Sequence, residues 1–176
     1  MPEIGFLVQS NMVDAIINYF SQINELFAVF IISMLPIVEL RGAIPVGVGL
    51  GLELWKIFVV SVVGNMIPVP FVILFIRPII EYLAKTKRFS GFAKKLTERA
   101  MSKSEKVVKY KKIGLYLFVA IPLPGTGAWT GSLIASLLDM RLKDAVPMIL
   151  AGVITAGIIM LFISYGLGAI IMNLFA

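Results

Sequence analysis

The chain has 176 residues, 59% of them hydrophobic and only 15% charged, where ordinary soluble domains carry about a quarter charged residues. That is one domain's worth of chain, and its composition is that of an integral membrane protein. It has no His and no Cys, which excludes disulfides, thiol catalysis, His-based acid–base chemistry and most transition-metal sites.

Charge is unevenly placed. Twelve of the 16 basic residues and three of the ten acids lie between Arg77 and Lys112, so that stretch carries +9 and the rest of the chain −3. A cytoplasmic loop under the positive-inside rule accounts for it, and no nucleic-acid partner is needed. The opening Met1-Pro2-Glu3 has no basic n-region, so a cleaved secretory leader is not expected.

Residues 1–25 alternate Val13, Ile16, Ile17, Phe20 and Ile23 with Asp14, Asn18, Gln22 and Asn24. The pattern predicts an amphipathic helix at the interface or over other helices. Residues 26–76 form a first half. Leu26 to Val38 is apolar and ends at Glu39. Gly42 to Leu52 carries no charge. A hydrocarbon core of about 30 Å needs about 20 helical residues, so neither arm spans it. Two short arms around a Pro/Gly-rich, charged tip, Pro36 to Gly47, predict a re-entrant hairpin with Glu39, Arg41 and Pro45 at its tip. Leu54 to Ile76 is long enough to cross, with a kink expected where Asn65, Pro68 and Pro70 fall.

The basic loop, 77–112, predicts a surface helix with Phe89, Phe92, Ala93, Leu96 and Ala100 on one face, and a separator at Ser102-Lys103-Ser104. It can also meet anionic lipid head groups. Residues 113–176 repeat the first half. Ile113 to Ile121 is an apolar arm, Pro122-Leu123-Pro124-Gly125-Thr126-Gly127 a break, and Ala128 to Leu138 a second arm. Ala145 to Phe175 is a span, with Asp144 placed to cap it. Both breaks contain Ala-Ile-Pro, at Ala43 to Pro45 and Ala120 to Pro122.

With the basic loop inside, the first hairpin dips from outside and the second from the cytoplasm. The fold expected is therefore all-α and membrane-embedded: two inverted repeats, each a re-entrant hairpin followed by a transmembrane helix. The tips are expected to meet near the midplane, where transporters of this architecture place their sites. Arg41 would bind an anionic group and Glu39 would exchange protons. The amides from Gly125 to Ala128, at a helix N-terminus, would favour an anion, with Thr126 and Thr130 adding hydroxyls and Trp129 an N–H and a flat face. Asn65 would contact the site or satisfy broken backbone. The bland alternative makes Glu39 and Arg41 a structural ion pair and the glycines a helix crossing. No nucleophile–base set is visible, so the functions weighed are a transporter and a non-transporting scaffold rather than an enzyme.

Three motifs, Glu39-Leu-Arg-Gly-Ala-Ile-Pro45, Gly64-Asn65-Met-Ile-Pro68-Val-Pro70 and Ala120-Ile-Pro-Leu-Pro-Gly-Thr-Gly-Ala-Trp-Thr-Gly131, resemble the hallmarks of the prokaryotic small multidrug export protein family. More remotely, the opposed hairpins resemble the DedA/VTT superfamily, whose members are implicated in moving lipids, including polyprenyl phosphate carriers. This chain has Glu39 and Arg41 in its first hairpin and no basic residue in the second. The resemblance implies a multi-pass protein of the cytoplasmic membrane with lipid neighbours and an exported small molecule or lipid. Protons are the coupling partner considered; a homo-oligomer is compatible and no cofactor is implied.

Overall fold

A computed structural model describes residues 25–86, 89–103, 105–123 and 125–175; the amphipathic helix expected over residues 1–25 lies outside them, Glu25 excepted. Among the described residues every regular element is α-helical: α1 (Glu25–Met34), α2 (Glu39–Gly49), α3 (Leu54–Met66), α4 (Pro68–Lys85), α5 (Ser90–Lys103), α6 (Glu105–Ala120), α7 (Ala128–Leu137) and α8 (Leu142–Phe175). Two helical stretches are long and apolar enough to cross a membrane, Leu54–Lys85 and Leu142–Gly166. Much of their apolar surface faces outward, Phe71, Phe75, Ile158 and Phe162 included, as lipid-facing helices require. The described residues fall into two compact units. One is the chain up to Gly64 with that from Gly157 onward, and the other is Asn65–Ala156.

In the first unit α1 and α2 pack on one another across a short turn at residues 35–38. The helix stops where Pro36 biases the preceding residue away from the α region. On α2 the buried residues Glu39, Leu40, Ala43, Ile44 and Gly47 form one helical face. Pro45 therefore does not sit at the tip: it lies inside α2, and the turn comes earlier, around Pro36. A proline keeps helical φ and removes only the bond to the carbonyl four residues back, and neighbouring helices in a membrane can offset that loss. The shared Ala-Ile-Pro consequently marks different places, the second arm in one hairpin and the end of the first arm in the other.

The first span is interrupted at Ile67, the expected kink site. Ile67 keeps φ −56° and ψ −49°, so the chain stays helical while its hydrogen bonding is broken. Pro68 and Pro70 have no N–H for the carbonyls of Gly64 and Met66. α4 continues through Arg77, well past the expected end of the span.

In the second unit α4 packs along α7 and against α5. The Ser136 hydroxyl donates to the Ile73 carbonyl (2.8 Å), and one turn on Arg77 pairs with Asp139, so α4 and α7 run in the same direction. α5 carries the predicted face with Ala93 and Ala100 buried, and it ends at Lys103, inside the expected separator. α6 is longer than the predicted arm because it begins within the basic stretch. Asp144 lies in the first turn of α8 rather than at its cap. It accepts from Lys112 Nζ (2.7 Å) and Arg141 Nε (3.0 Å).

One backbone pattern occurs twice, 88 residues apart. After α2, Leu50, Gly51 and Leu52 donate to Val46, Val48 and Gly47; after α7, Leu138, Asp139 and Met140 donate to Ile134, Ser136 and Ala135. Gly51 (φ 73°) and Asp139 (φ 53°) take the left-handed position in each, the helix-terminating arrangement that glycine usually fills. α3 and α8 then start at Leu54 and Leu142. A Cβ on Gly64 would lie 2.7 Å from the Phe30 carbonyl oxygen and also strike Ser33; one on Gly152 would lie 2.7 Å from Val119 Cβ and 3.0 Å from the Tyr116 carbonyl oxygen. Gly64 and Gly152 are again 88 apart, and the residues they meet are 86 apart. The second tip is longer than the first and α7 is one residue shorter than α2, which accounts for the change of interval.

Candidate functional site

The predicted site residues divide between the two units. Glu39, Arg41 and Pro45 belong to the first. Glu39 is only 4% exposed and takes φ 53°, a conformation that costs a non-glycine residue about 1–2 kcal/mol. This departure from helical geometry matters for its neighbour. Residues two apart on a regular helix point away from one another, yet the charge of Glu39 still acts on the Arg41 guanidinium. Arg41 is half-buried and Pro45 exposed. The buried Glu39 carboxyl can hold a counter-charge or exchange a proton, and the half-buried Arg41 is accessible in part to an anionic group.

Asn65 and Pro122 to Thr130 belong to the second unit. Asn65 is fully buried, and neither its Oδ1 nor its Nδ2 has a hydrogen-bond partner. The tight second turn is as predicted, with Gly125 at φ 76° and Gly127 at φ 128°. Gly127 is the N-cap of α7 and the helix has no side-chain cap, so its first amides depend on other groups. Thr126 plays a different part from the expected one. Its hydroxyl lies 2.9 Å from the Ile121 carbonyl and 2.8 Å from that of Leu123, so it staples the turn to itself. Trp129 and Thr130 are half-buried, and Pro122 is at the tip.

Sequence reading missed three features. Ser61 and Ser132 are fully buried with unpaired hydroxyls; only the four-residue spacing of Ser61 from Asn65 hinted at the first. The Lys112–Asp144–Arg141 cluster and the Arg77–Asp139 pair, beside a cavity of about 350 Å3 lined in part by Val107 and Leu138, required tertiary contacts to see. The third is a charge exchange at equivalent joints. At the start of α3, Lys56 pairs with Glu53 (2.6 Å); at the start of α8, Asp144 pairs with Arg141. Positions 53 and 141, and 56 and 144, are 88 apart with their signs reversed. Hydrogen bonds from Lys56 and then Trp55 hold the Glu53 carboxyl below its ordinary range. Among the described residues no group of three or more acidic side chains could hold a metal.

No curated protein and no solved structure matches the chain. Residues 39–159 match the family model described as "Putative small multi-drug export protein". That match starts at Glu39, the first residue of α2, and includes the second hairpin tip, the proline break and α8 as far as Ile159. Taken with the two apolar helices, it makes this a membrane protein, and the chain belongs to the small multi-drug export protein family.

Proposed function

We propose that the protein is a multi-pass exporter of small molecules in a prokaryotic cytoplasmic membrane, built as an inverted repeat of two re-entrant hairpins. The observation that carries this reading is the Lys112–Asp144 pair. Lys112 lies on the way into the second hairpin and Asp144 on the way out, so the chain returns to the level at which it entered. Between them the hairpin rises alongside α8 as far as Val119 at Gly152 and Tyr116 at Thr155 (3.2 Å). From Asp144 to Thr155 is about 16 Å at 1.5 Å per residue, roughly half of a core of about 30 Å. The first hairpin is consistent with the same depth, because its turn follows directly on Ser33, which faces Gly64 near the middle of the first span.

The 88-residue recurrence supports duplication. The basic loop, with Arg141 and Lys143 at the second joint against Lys56 alone at the first, supports opposite orientation of the halves. Glu39 and Arg41 are the groups we assign to the transported molecule and to proton exchange, since a buried carboxylate in a strained conformation at a helix break is costly for a purely structural role. The test is an export or resistance assay at matched membrane expression. Glu39→Gln and Arg41→Ala abolish activity, while Lys94→Ala, on the exposed face of α5, leaves it intact. Well-folded, active tip variants would overturn the assignment.

A further inference from the structure

The strongest unexplained feature is one face of α3. Ser61 and Asn65 are four residues apart, hence neighbours on that face. Both are 0% exposed, and Ser61 Oγ, Asn65 Oδ1 and Asn65 Nδ2 have no partner. Pro68 follows on the same face, seven residues after Ser61. It has no N–H, so the Gly64 carbonyl, which points along the helix toward residue 68, loses its intrahelical donor. Each buried polar group left unsatisfied costs about 1–3 kcal/mol, and here several coincide.

The chain carries its own control for this face. At the 88-residue interval that relates Gly64 to Gly152, Ser61, Asn65 and Pro68 correspond to Ile149, Val153 and Ala156. Those three are 0%, 0% and 2% exposed, and α8 passes through them without a break. The same position in the same architecture is thus filled by apolar side chains in an intact helix. Packing does not call for the hydroxyl, the amide or the proline on α3.

We propose that this face of α3 binds a desolvated monovalent cation of the size of Na+. The groups it aligns are neutral oxygens: a hydroxyl, a side-chain amide carbonyl and a backbone carbonyl freed by proline. A broken membrane helix presents ligands of this kind to Na+. Divalent ions require carboxylates, and neither Ser61, Asn65 nor the Gly64 carbonyl supplies one. An anion would need donors, and acceptors outnumber donors here. The remaining coordination positions are left to water or to an oxygen of the exported molecule. The assignment rests on the repeat register, and its role as a coupling ion rests on the export reading above.

The experiment is thermal unfolding of the purified protein in detergent at constant ionic strength, titrating NaCl against KCl and against N-methyl-D-glucamine chloride, with 22Na+ binding measured on the same samples. Wild type shows a saturable, Na+-selective rise in melting temperature and saturable binding. The variant Ser61→Ile/Asn65→Val, which writes the second repeat's residues into the first, melts higher without Na+ and loses both responses. Asn65→Ala serves if the double variant does not fold, and it too loses both. A wild type indifferent to the cation, as a water-filled site would be, or variants that keep the Na+ response, would overturn the proposal. Binding is read without transport, so a Na+ response in a protein that exports nothing would remove the export reading and leave the site standing.

Discussion

Glu39 combines three costs in one residue: a left-handed backbone, nearly complete burial and a charge. Its counterpart in the second hairpin is Gly125, also left-handed and also three residues after the tip proline, Pro36 in one case and Pro122 in the other. Glycine takes that conformation without strain, so the carboxylate is retained against local preference. Its interaction with Arg41 is the compensation. Removing Arg41 leaves a buried charge without its partner, which costs 3–5 kcal/mol for fully buried pairs and about 2 kcal/mol here because Arg41 is only half-buried. We therefore expect Arg41→Ala to destabilise by about that amount, and Glu39→Gln/Arg41→Ala to recover part of it. Thermal unfolding of these two variants and of Glu39→Gln checks this; strict additivity would mean that the two charges do not couple. That Glu39 and Arg41 call for an explanation was legible in the sequence, since charges inside an apolar run demand a reason, and the burial of Glu39 was not. The internal use of the Thr126 hydroxyl and the burial of Ser61 were not, because a hydroxyl's partner is fixed by packing rather than by spacing.

At the scale of elements, prolines gave the right number of breaks and misplaced one. Pro36 and Pro45 both interrupt an apolar run, and local chemistry does not say which ends the helix. Tertiary packing decides, because the face of Leu40, Ala43, Ile44 and Gly47 stays buried only if α2 runs through Pro45. The start of α6 was obscured for a related reason: its first residues are basic, and a hydropathy reading assigned them to the loop. The arm Ala128 to Leu138 and the break at Pro68 were readable, since glycine and proline act there through the backbone alone. Close helix contact at Gly64 and Gly152 yields a direct test. A Cβ at either position meets a backbone oxygen within about 3 Å, and backbone cannot swing aside as a long side chain can. Gly64→Ala and Gly152→Ala are expected to lose about 1–3 kcal/mol each. Gly91→Ala, on open surface of α5, is expected to be neutral or to gain up to about 1 kcal/mol. Melting temperatures of the three variants decide it, and two tolerated alanines at positions 64 and 152 would contradict the close approach.

For the whole molecule, composition identified the membrane class and the order of apolar arms suggested a duplication. The 88-residue recurrence on which we rest that proposal is visible only in the backbone: the paired turns after α2 and α7, the positive φ at Gly51 and Asp139, and the glycines at 64 and 152. Side chains had hidden it, since a glycine in one half is an acid in the other and a Glu–Lys pair becomes an Arg–Asp pair. Inversion is the central claim, and it concerns which side of the membrane each joint faces. The chain lacks cysteine, so single cysteines report cleanly. The decisive measurement places one at Leu52 and one at Met140, equivalent positions 88 residues apart, with Lys95→Cys as the cytoplasmic reference. Each is labelled with a membrane-impermeant maleimide in right-side-out and inside-out vesicles. Leu52→Cys reacts only from outside, and Met140→Cys reacts only from the cytoplasmic side together with Lys95→Cys. Labelling of both joints from the same side would contradict inversion, and labelling of Met140→Cys from outside would mean that the second hairpin crosses the membrane instead of returning.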